Sequence, residues 1–252
     1  MAKITYVISG LTNNVPYYGK VYSVNPKDRI NNRADLEVFG ATPRSFPTIP
    51  SAYTNLISTY QYSGTTQVFT APEDGYFRIM AFGSSGAGTD ATVTYNDLVG
   101  ENYRYKGTSG NGGGGGAYSC SDIKMNKGDT VNMTIGNVSG TTTITINSTT
   151  GETYSVMKLT GGQSGSGTGA GGTASGGNVA NANGGAGGTG STDEIYRDDD
   201  LQIAGGAGGR AGHSEGNAGG AGGDVTWAVA QSGDPGKRAF VRIYRGNTNV
   251  LV

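Results

Sequence analysis

Apolar and polar residues alternate in short runs through most of the chain. KITYVISG (3–10) and YYGKVYSV (17–24) put β-branched and aromatic side chains at nearly every second position, the period of a half-buried strand. Thr12-Asn13-Asn14 separates these two runs as a turn. Further along, TTQVFT and GYFRIMAF flank the turn residues Pro72-Glu73-Asp74-Gly75, which reads as strand, tight turn, strand. AYSCSDIKM and DTVNMTIG meet at Lys127-Gly128-Asp129. TTTITIN and TYSVMKL read as a hairpin turning at Thr149-Thr150-Gly151. A last alternating run, FVRIYR at 240–245, follows a long glycine-rich stretch and predicts that the chain returns to close a sheet begun much earlier. No useful length of the chain carries the helical period. The pattern therefore predicts an all-β protein built around a β-sandwich.

Breaks in this pattern divide the chain. Residues 1–42 form a first β segment, 43–54 a linker containing three prolines in this part of the chain (Pro43, Pro47 and Pro50), and 55–252 a second β unit. Proline makes the linker semi-rigid. In the first segment Leu11 precedes Tyr17 by six residues, and Val21 and Asn25 follow. This spacing resembles the second half of a fibronectin type III domain. The resemblance implies that Tyr17 is a corner tyrosine bonded through its hydroxyl to upstream backbone. It covers only about three strands, so the missing strands are expected on another chain or in a longer parent protein.

Composition narrows the chemistry. Net charge is −1 and charged residues make up 15%, which leaves no basic footprint for nucleic acid or an anionic membrane. Cys120 and His213 are the only residues of their kinds. No intrachain disulfide, zinc site or His/Cys triad is expected, and no cofactor is implied. Cys120 reads as a small strand residue and His213 as a loop residue. The N-terminal residues lack the apolar core of a signal peptide, so production in a cytoplasm without export is expected.

Glycine is the largest departure: 47 of 252 residues, with only 7 prolines, which excludes collagen. Gly112, Gly113 and Gly114 open a pentaglycine. Gly-Gly-Ala-Gly-Gly recurs with Gly184, Gly185, Gly187 and Gly188, with Gly205, Gly206, Gly208 and Gly209, and with Gly219, Gly220, Gly222 and Gly223. A three-residue repeat matches a helix with three residues per turn, placing the non-glycine residue on one edge and bare backbone on the other two. The runs in 161–224 are therefore expected to pack as a polyglycine-II layer, with a flexible linker as the alternative. A Gly-X-Gly-X-X-Gly string at Gly167, Gly169 and Gly172 is followed by no helical pattern, so no dinucleotide site is expected.

The segments interrupting the glycines are the candidate contacts. Residues 90–106 carry Tyr95, Tyr103 and Tyr105; 192–202 carry Tyr196 and Arg197, with Asp198-Asp199-Asp200 as a less favoured calcium cluster; 210–217 carry Arg210 and His213. Each is read as a loop. Trp227, in Val-Thr-Trp-Ala-Val, reads first as a core residue and second as an exposed platform for a ligand. Adjacent carboxylates such as Asp193/Glu194 do not form the facing pair that a glycosidase needs.

Phe69, Pro72, Gly75, Phe77 and Ile79, then Gly116-Ala117-Tyr118, Lys127-Gly128-Asp129 and Ile135-Gly136, carry a resemblance across roughly residues 60–245. The chain resembles the glycine-rich C-terminal domains of tailed-phage and prophage tail fibres. Glycine-rich ectodomains of animal receptor kinases have a related layout. The resemblance implies a non-enzymatic tip on a virion that binds a bacterial cell-surface receptor, protein or glycan, in company with other tail-fibre subunits and as a homotrimer. Two other readings stand beside it: a structural virion or surface protein that packs subunits without binding a receptor, and a depolymerase with two carboxylates facing across a groove.

Overall fold

The structure, a computed structural model, describes residues 17–20, 38–41, 53–97, 103–149, 153–166, 169–195 and 202–246. The chain divides into two compact units, Met1–Thr48 and Ile49–Val252. In the first, β1 (Tyr17–Lys20) and β2 (Val38–Ala41) form an antiparallel pair with Tyr17 opposite Ala41. The rest of that segment, including Leu11 and Asn25, and most of the linker lie outside the described residues.

The second unit is all-β and antiparallel. Its strands are β3 (Asn55–Gln61), β4 (Gln67–Thr70), β5 (Gly75–Phe82), β6 (Thr92–Asp97), β7 (Tyr103–Thr108), β8 (Tyr118–Met125), β9 (Thr130–Thr134), β10 (Thr142–Asn147), β11 (Thr153–Leu159), β12 (Ala174–Ser175), β13 (Ala180–Ala182), β14 (Thr192–Ile195), β15 (Gln202–Ile203), β16 (Val225–Thr226), β17 (Val229–Ala230) and β18 (Phe240–Arg245). Two five-stranded sheets, ordered β13-β8-β5-β18-β3 and β12-β11-β10-β9-β4, share one core. Strict alternation builds it. In β5 the buried positions are Gly75, Phe77, Ile79 and Ala81, with Phe82 also buried, and in β10 they are Thr142, Ile144 and Ile146. Phe69 meets Phe77 edge to face across the core at 5.7 Å between ring centroids. As the alternation at 240–245 predicts, β18 returns into the sheet, between β5 and β3.

Two turns differ from expectation. Residues 71–74 and 126–129 do not close hairpins: each carries the chain from one sheet to the other, because β4 and β9 lie in one sheet and β5 and β8 in the other. Asp129 explains how the second crossing is held. Its buried carboxylate accepts from the amides of Asn126 and Thr149 at 2.8 Å each, while Gly128, at φ +91°, donates to Ala71.

Beyond the sandwich, eight extended glycine-rich runs lie side by side: 83–91, 109–117, 160–166, 169–173, 183–191, 204–212, 217–224 and 231–239. Their hydrogen bonds repeat every third residue. Gly83, Gly86 and Thr89 donate to Ala117, Gly114 and Asn111; Ser85, Gly88 and Ala91 donate to Lys237, Asp234 and Gln231. The ordered layer is thus wider than 161–224, reaching upstream to 83 and downstream to 239.

Run 109–117 is its centre. Its amides turn through three directions in succession. Ser109, Gly112 and Gly115 donate to Ser191, Gly188 and Gly185; Gly110, Gly113 and Gly116 donate to Gly223, Gly220 and Asn217; Gly114 donates to Gln163. Its carbonyls accept from 83–89, from Gly172 and from Gly206, Gly209 and Gly212. Six neighbours therefore surround one run, which accounts for the pentaglycine: no residue on it has an open side. A Cβ placed on Gly112, Gly113, Gly114, Gly115 or Gly116 would fall far inside contact distance of a neighbouring carbonyl oxygen. Outer runs have an open edge, and there the repeat places Ala186, Ala204, Ala207 and Ala218, all exposed.

Asn217 closes the layer where backbone geometry falls short. Buried, it accepts from Gly116 through its carbonyl, and its side-chain Nδ2 donates to Gly83 at 2.9 Å and to Arg238 at 2.8 Å. Gly113→Ala should cost about 3 kcal/mol or more through overpacking, whereas Ala186→Ser on the open edge should stay within about 0.5 kcal/mol of wild type; thermal denaturation of both reads the contrast. Asn217→Ala should cost about 2 kcal/mol by leaving the buried Gly83 carbonyl and the partly buried Arg238 carbonyl without their donor, lowering Tm by about 4–8 °C.

Candidate functional site

Six of the eight runs leave the sandwich end and pass directly into short strands at the other. Run 83–91 leads into β6, 183–191 into β14 and 217–224 into β16, while β7, β15 and β17 feed back into 109–117, 204–212 and 231–239. These six strands make two small sheets, β14-β7-β6 and β15-β16-β17. Ala91, Ile203 and Val225 are buried between them, with Val93, Tyr105 and Ala228 packed around. The result is a tip with its own small core, held at six points by hydrogen-bonded backbone.

The structure brings two of the candidate segments together and corrects their reading as loops. Residues 92–97 and 103–108 are paired strands, and 192–195 adds to them on the other side of β7. Tyr95, Tyr105 and Ile195 share one row across the sheet, and the Tyr95 and Tyr105 rings sit 5.4 Å apart. Tyr103 opens β7 opposite Asp97. Two further rows are polar. Thr108 and Thr192 share a hydroxyl contact at 3.0 Å, and Lys106 faces Glu194 at 3.5 Å. Their period-2 alternation, T-V-T-Y and Y-R-Y-K, is the signal that marks them as strands; the flanking glycines obscure it. Tyr196, Arg197 and Asp198-Asp199-Asp200 lie outside the described residues.

The third segment belongs elsewhere. The turn at 213–216 joins runs 204–212 and 217–224 at the sandwich end, opposite the tip. His213 stacks on Tyr118 at 4.3 Å and meets Phe82 edge-on at 5.6 Å, and its Nδ1 accepts from the amide of Glu215. Glu215 in turn pairs with Arg242 at 2.8 Å. His213 thus fastens a turn to the outer face of a sheet, and Arg210, though exposed, stands on the adjoining run. Neither joins the tip. Cys120, beneath the same aromatic group, is buried, and burial pushes its thiol pKa up, so the thiolate form is disfavoured.

Trp227 corrects the core reading. It is 58% exposed and, with Ala228, forms the two-residue turn between β16 and β17. Both residues have positive φ, 54° and 55°, the geometry of the twist-matched hairpin turn that Asn-Gly ordinarily fills. Left-handed backbone costs an ordinary residue ~1–2 kcal/mol. Here the smaller Ala228 packs against the tip core while the indole stands outside it.

Three carboxylates at the tip and the adjoining run ends serve the backbone. Asp90 accepts from Gly233, Asp193 from Glu194 and Asp224 from Gly205. Among the described residues no group of His, Cys, Asp and Glu is arranged to hold a metal ion. No protein-family model, curated protein or solved structure matches the chain.

Because the chain holds a single tryptophan, its intrinsic indole fluorescence reports this turn alone. Emission at the water-exposed, red end of the indole range, quenched freely by acrylamide, is expected; a blue-shifted and shielded emission would place Trp227 in the core instead.

Proposed function

We propose that the chain is the receptor-binding tip of a phage or phage-derived tail fibre, which attaches the particle to a bacterial surface. The observation that carries this reading is the order of parts: sandwich, glycine layer, small exposed tip. Six runs end at the tip, so the strands and connections there can change while their anchor points stay fixed by backbone hydrogen bonds. Binding segments held this way lose little freedom on docking, which favours affinity from a small contact. The layer itself we take as polyglycine-II: threefold periodicity of the bonds, glycine on all three edges of the central run at 112–116 and the exposed alanines Ala186, Ala204, Ala207 and Ala218 on the outer runs support it.

The upstream unit is read as a fibronectin III-like segment connecting the tip to the fibre, with Tyr17 opening β1. Other virion subunits and two further copies of the chain complete the assembly in this reading. Many copies per particle would turn weak single contacts into avidity. The chemistry needed is recognition alone, without a catalytic step.

Adsorption of the purified chain to bacterial cells tests this. Replacing residues 94–106 with a Gly/Ser segment, or doing the same at 192–202, should lower adsorption at least tenfold in one or both variants while the sandwich keeps its melting transition. Unchanged adsorption in both would sink the tip assignment, and a wild-type chain that adsorbs to no strain in a broad panel would sink the attachment reading.

A further inference from the structure

We propose that Trp227 is the ligand-stacking residue of the tip and that its ligand is a glycan, the indole face lying on a pyranose ring. The inference rests on the attachment reading above and names the class of receptor. It begins from the strained turn. Asn-Gly at 227–228 would adopt the same backbone without penalty, and the exposed indole adds nothing to the tip core. Residues held in unfavourable backbone regions concentrate where a ligand is met, and the residue held here is the largest exposed side chain of the tip.

The surroundings point to a sugar. A protein partner would bury about 800 Å² on each side, with its anchor near the centre of a ring of contacts that exclude water. Trp227 stands instead at the apex of a two-residue turn, where such a ring cannot form around it. A pyranose needs only one flat aromatic face together with nearby hydroxyl, amide or carboxylate partners. Thr226 is next to the indole in the chain, and Gln202 is opposite Thr226 across the sheet. A second aromatic, Tyr95, is half exposed on the adjoining sheet. Among the described tip residues Lys106 is paired with Glu194, and the Asp90, Asp193 and Asp224 carboxylates accept from backbone amides, so the side chains offered to a ligand beside the indole are Thr226, Gln202 and Tyr95.

The test uses the full chain and bacteria to which it adsorbs. The double variant Trp227→Asn/Ala228→Gly should melt about 2–4 °C higher, as strain is relieved, yet adsorb at least tenfold less. Trp227→Tyr, which keeps a flat aromatic face, should recover most of that loss. Periodate treatment of the cells, which cleaves sugar diols, should abolish adsorption, and proteinase treatment should leave it intact. Polysaccharide extracted from the same cells should shift the emission of the single tryptophan and shield it from acrylamide. Wild-type adsorption by the Asn-Gly variant, or a Tyr variant no better than it, overturns the role of Trp227. Adsorption that survives periodate and is lost to proteinase overturns the glycan and assigns a protein receptor. If the wild-type chain adsorbs to no strain, the attachment reading fails first and this proposal with it.

Discussion

One run of backbone organises the second unit. Residues 109–117 give their amides and carbonyls to six neighbouring runs, and each bond is made in the interior of the layer. Glycine loses more freedom on ordering than any other residue, so a glycine-rich layer is stable only if its polar backbone is paired almost completely; an unpaired buried amide costs ~1–3 kcal/mol. The threefold turn of the central run meets that demand by sending successive amides to different neighbours. The sandwich supports the arrangement from below. β5, β8, β13 and β18 hold the ends of four runs at fixed spacings, and Asn217 supplies the donors that the backbone lacks there.

Much of the fold was legible because strand alternation is a local signal. The core positions of β5, β9, β10 and β18 follow directly from period two, and the return of the last strand follows from its own alternation. The inter-sheet role of 71–74 and 126–129 was not legible, since a tight turn and a sheet crossing use the same residues. Three-residue spelling revealed the alanine-bearing runs. It did not reveal 83–91 or 231–239, where buried Ser84 and Ser85 and exposed Asp90, Ser232, Asp234, Pro235 and Lys237 dilute the repeat.

The tip was harder to read for a related reason. Its strands are two to six residues long, too short for periodicity to stand out against flanking glycine, so 92–97 and 103–108 resembled loops. Trp227 misleads in the other direction. An aromatic between valines is the usual mark of a core strand, and only the backbone angles show that Trp and Ala fill a turn. His213 resembled an exposed polar residue among glycines, yet the fold carries its turn back onto Tyr118 and Phe82.

The threefold register of the layer also constrains how such a chain can change length. Adding or removing three residues at once in an outer run returns every amide to the same neighbour and lengthens or shortens the spacer by about 9 Å. Adding one residue turns the rest of that run by a third of a revolution. Alanines such as Ala186 and Ala207 would then face inward, where only glycine fits, and glycines would face outward. Length variation along the glycine runs is therefore quantised in triplets, while the segments between the tip strands can vary by single residues. The boundary between these two regimes lies at the strands β6, β7, β14, β15, β16 and β17.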